Sequence, residues 1–444
     1  MPRLIFADLI ANARIWLGAF VVILATAFVA AVAAGFIATG NAAGGEAQIG
    51  FGSIGGVVIA FTSIAALIVV SSVANLTVAL QQRAYALWQL VGMRPALVGW
   101  VVIGQLLIVA VAGSLAGCLV ATPFLPSIAR TLFTTWEAIG RVPMRFDGAA
   151  VAWVTVGIVA VALLSGSRGA RRAARVPPIE ALREPDPPRM RAGWLRWIVA
   201  LAALGGVTAI CLPLRDESFT AISSEALILT PLFSAPLAAL GPLLFPAALR
   251  AWSALVPGQM SASWFLARHS AAYRLNQSSA AIGPLMVAIS LAGGLYTATL
   301  IVAEAGHARG IDGNYSIPWR GAVIILGGPL LLSGLAAAAT VFMSGRARER
   351  EFALIQSAGA TNPAIATMSV WEAVIYAATA AVLAAVTMLA GAAVLASALA
   401  VPLTVAVAPA AGVAGGGLVL LLAATLLPAL ATLRRSVPRS LAAE

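Results

Sequence analysis

The chain of 444 residues contains no lysine: all 27 of its basic residues are arginine. A Walker A phosphate-binding loop needs a lysine to reach the nucleotide phosphates, so any ATP hydrolysis tied to this chain must come from another one. Schiff-base and lysine-base chemistry are excluded with it. Cysteine and histidine are nearly as scarce, with two of each. Cys118 and Cys211 stand in separate apolar stretches without zinc or thioredoxin-type spacing and read as packing thiols. His269 and His307 are each alone, so no catalytic triad and no metal site is expected. Charge is short as well. Only 10% of residues are charged against 61% hydrophobic, at a mean hydropathy of +0.98, which leaves too little polar surface to cover a soluble core. The class that remains is an all-α polytopic membrane protein.

What is present is a series of apolar runs near the length that spans a hydrocarbon core of about 30 Å. Ten can be read, at 16–38, 52–80, 96–124, 149–165, 195–213, 225–249, 280–303, 321–344, 364–399 and 412–433. The arginines sort by side. With the N-terminus inside, 21 face the cytoplasm and six, Arg130, Arg141, Arg145, Arg215, Arg309 and Arg320, face outward. This asymmetry places both termini in the cytoplasm and requires an even number of spans. The net charge of +11 then lies against anionic inner-leaflet lipid and does not call for nucleic acid. The first run is too long for the apolar part of a signal peptide, so no cleavable signal is expected. Ahead of it, Leu4, Ile5, Leu9 and Ile10 have helical spacing, which fits a helix lying on the inner surface or an ordinary flanking turn.

The chain repeats itself. Arg83, Leu87, Gln89 and Gly92 recur as Arg350, Leu354, Gln356 and Gly359, each 267 residues later, and the register extends from Gln105 to Glu372. Each copy closes on an arginine cluster followed by Val-Pro, at Val176 and Pro177 and at Val437 and Pro438. Two halves of four spans therefore flank a central pair in a 4+2+4 order, divided as 1–190, 191–257 and 258–444. Both halves begin on the cytoplasmic side, so the repeat is parallel and not inverted.

A long second span, a short cytoplasmic segment of the form Arg-Glu-Phe-Ala-Leu ending in Gly-Ala, and a third span with Glu near its start resemble the FtsX-like permease family (MacB/BceB-type, type VII ABC transporters). The second copy, from Arg348 to Ala360, carries the pattern well. The first copy departs from it, with Met93 and Arg94 where the pattern prefers Ala-Thr and without its acidic residues. The order of spans is similar to the ten-helix BceB-type arrangement, so the resemblance covers nearly the whole chain.

The resemblance implies a bacterial plasma membrane protein that is not itself an enzyme. Its short segments are then coupling helices that dock into soluble ABC ATPase subunits, two per chain. ATP and magnesium are held in those partners, and no cofactor is held here. The implied coupling residues are Arg83, Leu87, Leu90 and Gly92 in the first copy and Arg348, Glu349, Arg350, Glu351, Phe352, Leu354, Ile355 and Gly359 in the second. Local chemistry agrees: charges come first, apolar residues follow, and glycine suits the helix stop because the residue past a helix end often takes positive φ. Pro95, and Asn362 with Pro363, restart the next span at little cost.

Gln105 and Glu372 are polar inside spans. A carboxylate there is a functional candidate by default, but its repeat partner is a neutral amide that cannot carry protons, so both are read as helix-packing hydrogen bonders, like Asn75. The pairs Gly52 with Gly56 and Gly113 with Gly117 suit close helix approach. Pro231, Pro236, Pro242 and Pro246 repeatedly interrupt the sixth span, either beside a cavity or as an irregular packed helix. The connector 166–196 is rich in Pro and Arg with a short helix at Ile179 to Arg183, 261–275 reads as an interfacial helix, and a short outer helix is expected around Trp136.

The outer loops at 39–51 and 304–320 are too short to fold alone, so no large extracytoplasmic domain is expected. The reading is a permease subunit that couples a partner's ATP hydrolysis to export or membrane extraction of a hydrophobic or amphipathic compound, a peptide antibiotic or a lipid. The alternatives are mechanotransmission to a wall hydrolase or sensor kinase and, from another class, an ion-coupled secondary transporter.

Overall fold

Apolar sequence in lipid has one local solution, because hydrocarbon offers no partner for a backbone group that the chain leaves open. A computed structural model describes residues 2–132, 143–175, 194–212, 219–257, 261–273, 275–311 and 319–433, and among these there are helices and turns but no strand. In chain order they are α1 (Pro2–Ala11), α2 (Ala13–Ala43), α3 (Gly45–Leu80), α4 (Gln82–Leu90), α5 (Pro95–Leu132) and α6 (Gly148–Arg175), then α7 (Trp194–Cys211), α8 (Phe219–Ala239) and α9 (Gly241–Ser253), then α10 (Ala262–Tyr273), α11 (Leu275–Ala308), α12 (Trp319–Ser357), α13 (Asn362–Leu399) and α14 (Val407–Leu433). The expected helices around Trp136 and at Ile179 to Arg183, and the Val-Pro pairs that close the two halves, lie outside the described residues.

Among the described residues, eight helices are long and apolar enough to cross a membrane: α2, α3, α5, α6, α11, α12, α13 and α14. The chain is an all-α polytopic membrane protein. The central pair is different. In α7 the apolar part is a short helix, Ala200–Cys211, and the sixth run is broken between α8 and α9, which meet at 88°. Pro242 sits in the first turn of α9, where a missing N–H costs little, and the N–H of Leu240 donates to the Pro236 carbonyl 3.0 Å away. The prolines thus make a bend sharper than a kink. The gap at 39–51, read from the sequence as an outer loop, also differs from expectation. It is helix on both sides of a tight turn at Gly44 and Gly45, with φ of 69° and 56°, a left-handed conformation that glycine takes without steric cost.

Two sets of four helices pack alike. In the first, α2 lies against α3, α5 and α6; in the second, α11 lies against α12, α13 and α14. The sets meet along α3 and α12, flanked by α2 on α12 and by α11 on α3. Small residues set these distances. A Cβ on Gly18 of α2 would meet Met343 Cγ of α12 at 2.5 Å, and one on Gly328 of α12 would meet Val29 Cγ1 of α2 at 2.3 Å. The central helices lie mainly on the second set, α8 and α9 packing on α11 and α13, and α8 also touches α3 of the first. As a result α11 is the most enclosed span, with 83% of its most apolar window buried against 56% for α2.

Of the two glycine pairs read as packing motifs, one packs. A Cβ on Gly117 would stand 2.4 Å from the Leu24 carbonyl oxygen and 2.5 Å from Ala27 Cβ, and one on Gly113 2.8 Å from Ile23 Cγ2, so α2 and α5 are in close contact. Gly52 and Gly56 have nothing within 4 Å; on that helix Gly55 is the one pressed against Ile37. One residue turns a helix by about 100°, enough to move a glycine off the contact face. Gly117→Ala is therefore expected to cost about 1–3 kcal/mol by overpacking. Gly56→Ala should be neutral or stabilising by up to about 1 kcal/mol through helix propensity. Thermal unfolding of the two purified variants in detergent checks both signs.

Candidate functional site

The two short segments singled out by the repeat are elbows between a second and a third span, and their ends are alike. At the first, the N–H groups of Val91, Gly92 and Met93 donate to the carbonyls of Leu87, Gln89 and Trp88 at 3.1, 3.0 and 3.0 Å. At the second, Ala358, Gly359 and Ala360 donate to Leu354, Gln356 and Ile355 at 3.1, 2.9 and 3.1 Å. This is a Schellman turn, made twice at the same register, and it closes carbonyls that a helix end leaves open. It requires a left-handed residue, supplied by Gly92 at φ 100° and Gly359 at φ 95°. The next span starts at once, at Pro95 or with Asn362 and Pro363, and the Gln356 amide donates to Asn362 Oδ1 at 2.9 Å across the second turn.

Each elbow has an inner and an outer side. Leu87 and Leu354, repeat partners, are 53% and 61% exposed, and Leu90 is 48% exposed. Gly92 and Gly359 are exposed, while Glu351 and Ile355 are half-buried. Phe352 faces inward, in a small cluster with Ile365 of α13 and Ala429 of α14, so it seats the elbow and has no surface to give a partner. Its repeat partner Tyr85 is fully buried. Arg83, Arg348, Glu349 and Arg350 fall on α4 and α12, but their side chains lie outside the described residues.

Beneath each elbow, the paired polar positions Gln105 and Glu372 are both buried, and both bond to the helix that precedes the first span of their half. Gln105 Nε2 donates to Asp8 Oδ2 on α1 at 2.7 Å, and the Asn12 amide donates to Asp8 Oδ1 at 2.9 Å. In the second half the Ser270 hydroxyl on α10 donates to Glu372 Oε1 at 2.6 Å. The acid has changed places, from the preceding helix in one half to the span in the other. Stacked indoles hold α10 in position: Trp264 makes edge contacts with Trp371 of α13 and Trp252 of α9, at centroid distances of 5.2 and 6.1 Å. Asn75 has a lesser part than expected, its amide donating to the Ser71 carbonyl of its own helix at 2.7 Å.

The first network includes a residue that reading by periodicity does not single out. The Tyr85 hydroxyl donates to Gln81 Oε1 and lies 3.5 Å from Gln105 Oε1. Burial, and then the carboxylate of Asp8, push its ionisation well above the usual tyrosine range, so it stays a protonated donor. Its signal in the sequence is its place inside the repeated segment, where the other copy has Phe352.

A model of the FtsX-like permease C-terminal domain matches the chain twice, at residues 55–178 and 330–437. Together the two segments make up just over half of the chain, and each contains an elbow. The chain belongs to the FtsX-like permease family. No curated protein and no solved structure matches it. In this permease the family match begins within the second span of each half and runs through the third and fourth, the part in which the elbow is set. Apart from the elbows, an apolar crevice lined by Ala226, Leu229, Gly294, Thr297, Thr387 and Gly391 lies between α8, α11 and α13.

Because the Schellman turn needs positive φ, Gly92→Ala and Gly359→Ala are each expected to cost about 1–2 kcal/mol. The corresponding Asn variants should cost less, since asparagine tolerates the left-handed region. Hydrogen exchange of the elbow amides in each variant tests this.

Proposed function

We propose that this chain is the membrane subunit of an ABC transporter, with ten spans in a 4+2+4 order and divisions at 1–190, 191–257 and 258–444. Both termini lie in the cytoplasm of a bacterial cell, and the chain sits in the plasma membrane. Two soluble ATPase subunits bind ATP and magnesium and dock one on each elbow. Their closure drives export or membrane extraction of a hydrophobic or amphipathic compound, a peptide antibiotic or a lipid. The observation that carries this reading is the pair of elbows with matched turns, each presenting an exposed leucine at the same register, Leu87 and Leu354.

Several further features support it. A chain without lysine cannot hold the phosphates in a Walker A loop, so a motor must be supplied from outside. An exposed leucine contributes about 1.5–3 kcal/mol when a partner buries it, enough to anchor a contact. Arg83, Leu90, Arg348, Glu349, Arg350, Glu351 and Ile355 would complete the docking surfaces, with Gly92 and Gly359 setting their ends and Phe352 holding the second in place. Gln105 and Glu372 bond helices together in this scheme and do not relay protons.

Leu87→Asp or Leu354→Asp alone should weaken co-purification of the ATPase by at least about tenfold, given what burying a leucine contributes. The double variant should abolish it, together with ATP-dependent activity in liposomes. Retention of the ATPase by the double variant, or substrate movement by the pure chain under an ion gradient alone, would overturn the proposal.

A further inference from the structure

The two elbows end in the same turn but begin differently. The second is an unbroken continuation of α12, whose helix runs from Trp319 to Ser357. The first is cut from its span: Gln81, with φ −101° and ψ 1°, stands between α3 and α4. A nine-residue helix joined through such a break is less firmly tied to its span than an unbroken one, so other contacts help to fix its direction.

The contacts that reach it are apolar, where Tyr85 and Trp88 join the main core, and polar through the Tyr85 hydroxyl. Tyr85 is fully buried in α4, with its ring edge against Trp88 at 5.4 Å. Its hydroxyl donates to Gln81 at the break and makes a longer contact, 3.5 Å, with Gln105 of α5. Gln105 in turn holds Asp8, and Asp8 holds Asn12 at the junction of α1 and α2. Three helices, α1, α4 and α5, and the breaks at Asn12 and Gln81 thus share one network, buried at Tyr85 and Gln105 and half-buried at Asp8. In the second half the equivalent ring, Phe352, has no polar atom and rests on Ile365 and Ala429. There span and preceding helix are bonded by Ser270 and Glu372, and a ring without a polar atom cannot extend that bond to the elbow.

We propose that Tyr85 is the positioning residue of the first elbow, tying it through Gln105 and Asp8 to the third span and the N-terminal helix, so that displacement of this elbow moves all three together. The second elbow needs no such tie because α12 itself carries it. The proposal rests on the elbows being docking segments, as set out above, but its local part stands without a partner.

Hydrogen–deuterium exchange on the full-length chain in lipid nanodiscs tests it, comparing residues 82–93 with 349–360. Tyr85→Phe keeps the ring and removes only the hydroxyl. Losing one buried hydrogen bond should speed exchange of the first elbow by about tenfold, with the second unchanged. Gln105→Glu alone sets two carboxylates together and should have the same effect. Adding Asp8→Asn restores an acid–amide pair with the acid on the span, the arrangement of the second half, and should return protection to the wild-type level. Unchanged exchange in Tyr85→Phe, equal acceleration of both elbows, or failure of Asp8→Asn to rescue Gln105→Glu overturns the proposal. Exchange needs no ATPase, so failure of the docking reading would appear separately, as the leucine-to-aspartate double variant retaining its ATPase while Tyr85→Phe still loosens the first elbow.

Discussion

Inside a bilayer an open N–H or carbonyl has no water to turn to, and this one constraint decides where the chain is allowed to stop being helical. The departures from helix obey it. Gly44 and Gly45 turn the chain between two apolar helices, with the Gly44 N–H still donating to Gly40. The bend at Leu240 keeps its own bond to Pro236. The elbows close their last carbonyls by Schellman turns, so a short helix can end abruptly and the next can begin within a few residues.

On that scaffold the two halves follow one plan with different chemistry. Each places a buried polar residue ten positions into its third span and bonds it to the helix ahead of its first span, yet the acid sits on opposite partners. Each seats its elbow with a buried aromatic ring, one with a hydroxyl and one without. The central helices then break the symmetry further by packing on α11 and α13. What a duplicated architecture keeps is the location of a contact, and the groups that make it are free to differ.

Much of this was legible in the sequence. Apolar run length marked the eight long helices, and the recurrence of Arg83 and Gly92 as Arg350 and Gly359 located both elbows and the glycines that end them. The family resemblance stated from those residues agrees with the domain matched at 55–178 and 330–437. Other features depend on neighbours that no periodicity encodes. Asp8 and Gln105 are 97 residues apart. Phe352 looks like any apolar residue of the elbow until Ile365 and Ala429 are placed beside it. Gly52 and Gly56 have the spacing of a contact pair, but the facing helix decides which side of α3 is pressed, and Gly55 is on it. The prolines of the sixth run announced an interruption without giving its angle.

The unbroken course of α12 has a mechanical consequence of its own. Its 39 residues make a helix about 58 Å long, longer than a hydrocarbon core is thick, with the elbow at its end in the same piece. Gly328 lets its early turns lie close on α2, so a displacement of the elbow end acts at long range on the seam between the halves. A helix continuous from span to elbow links the two directly, whereas the α3 and α4 pair is interrupted at Gln81.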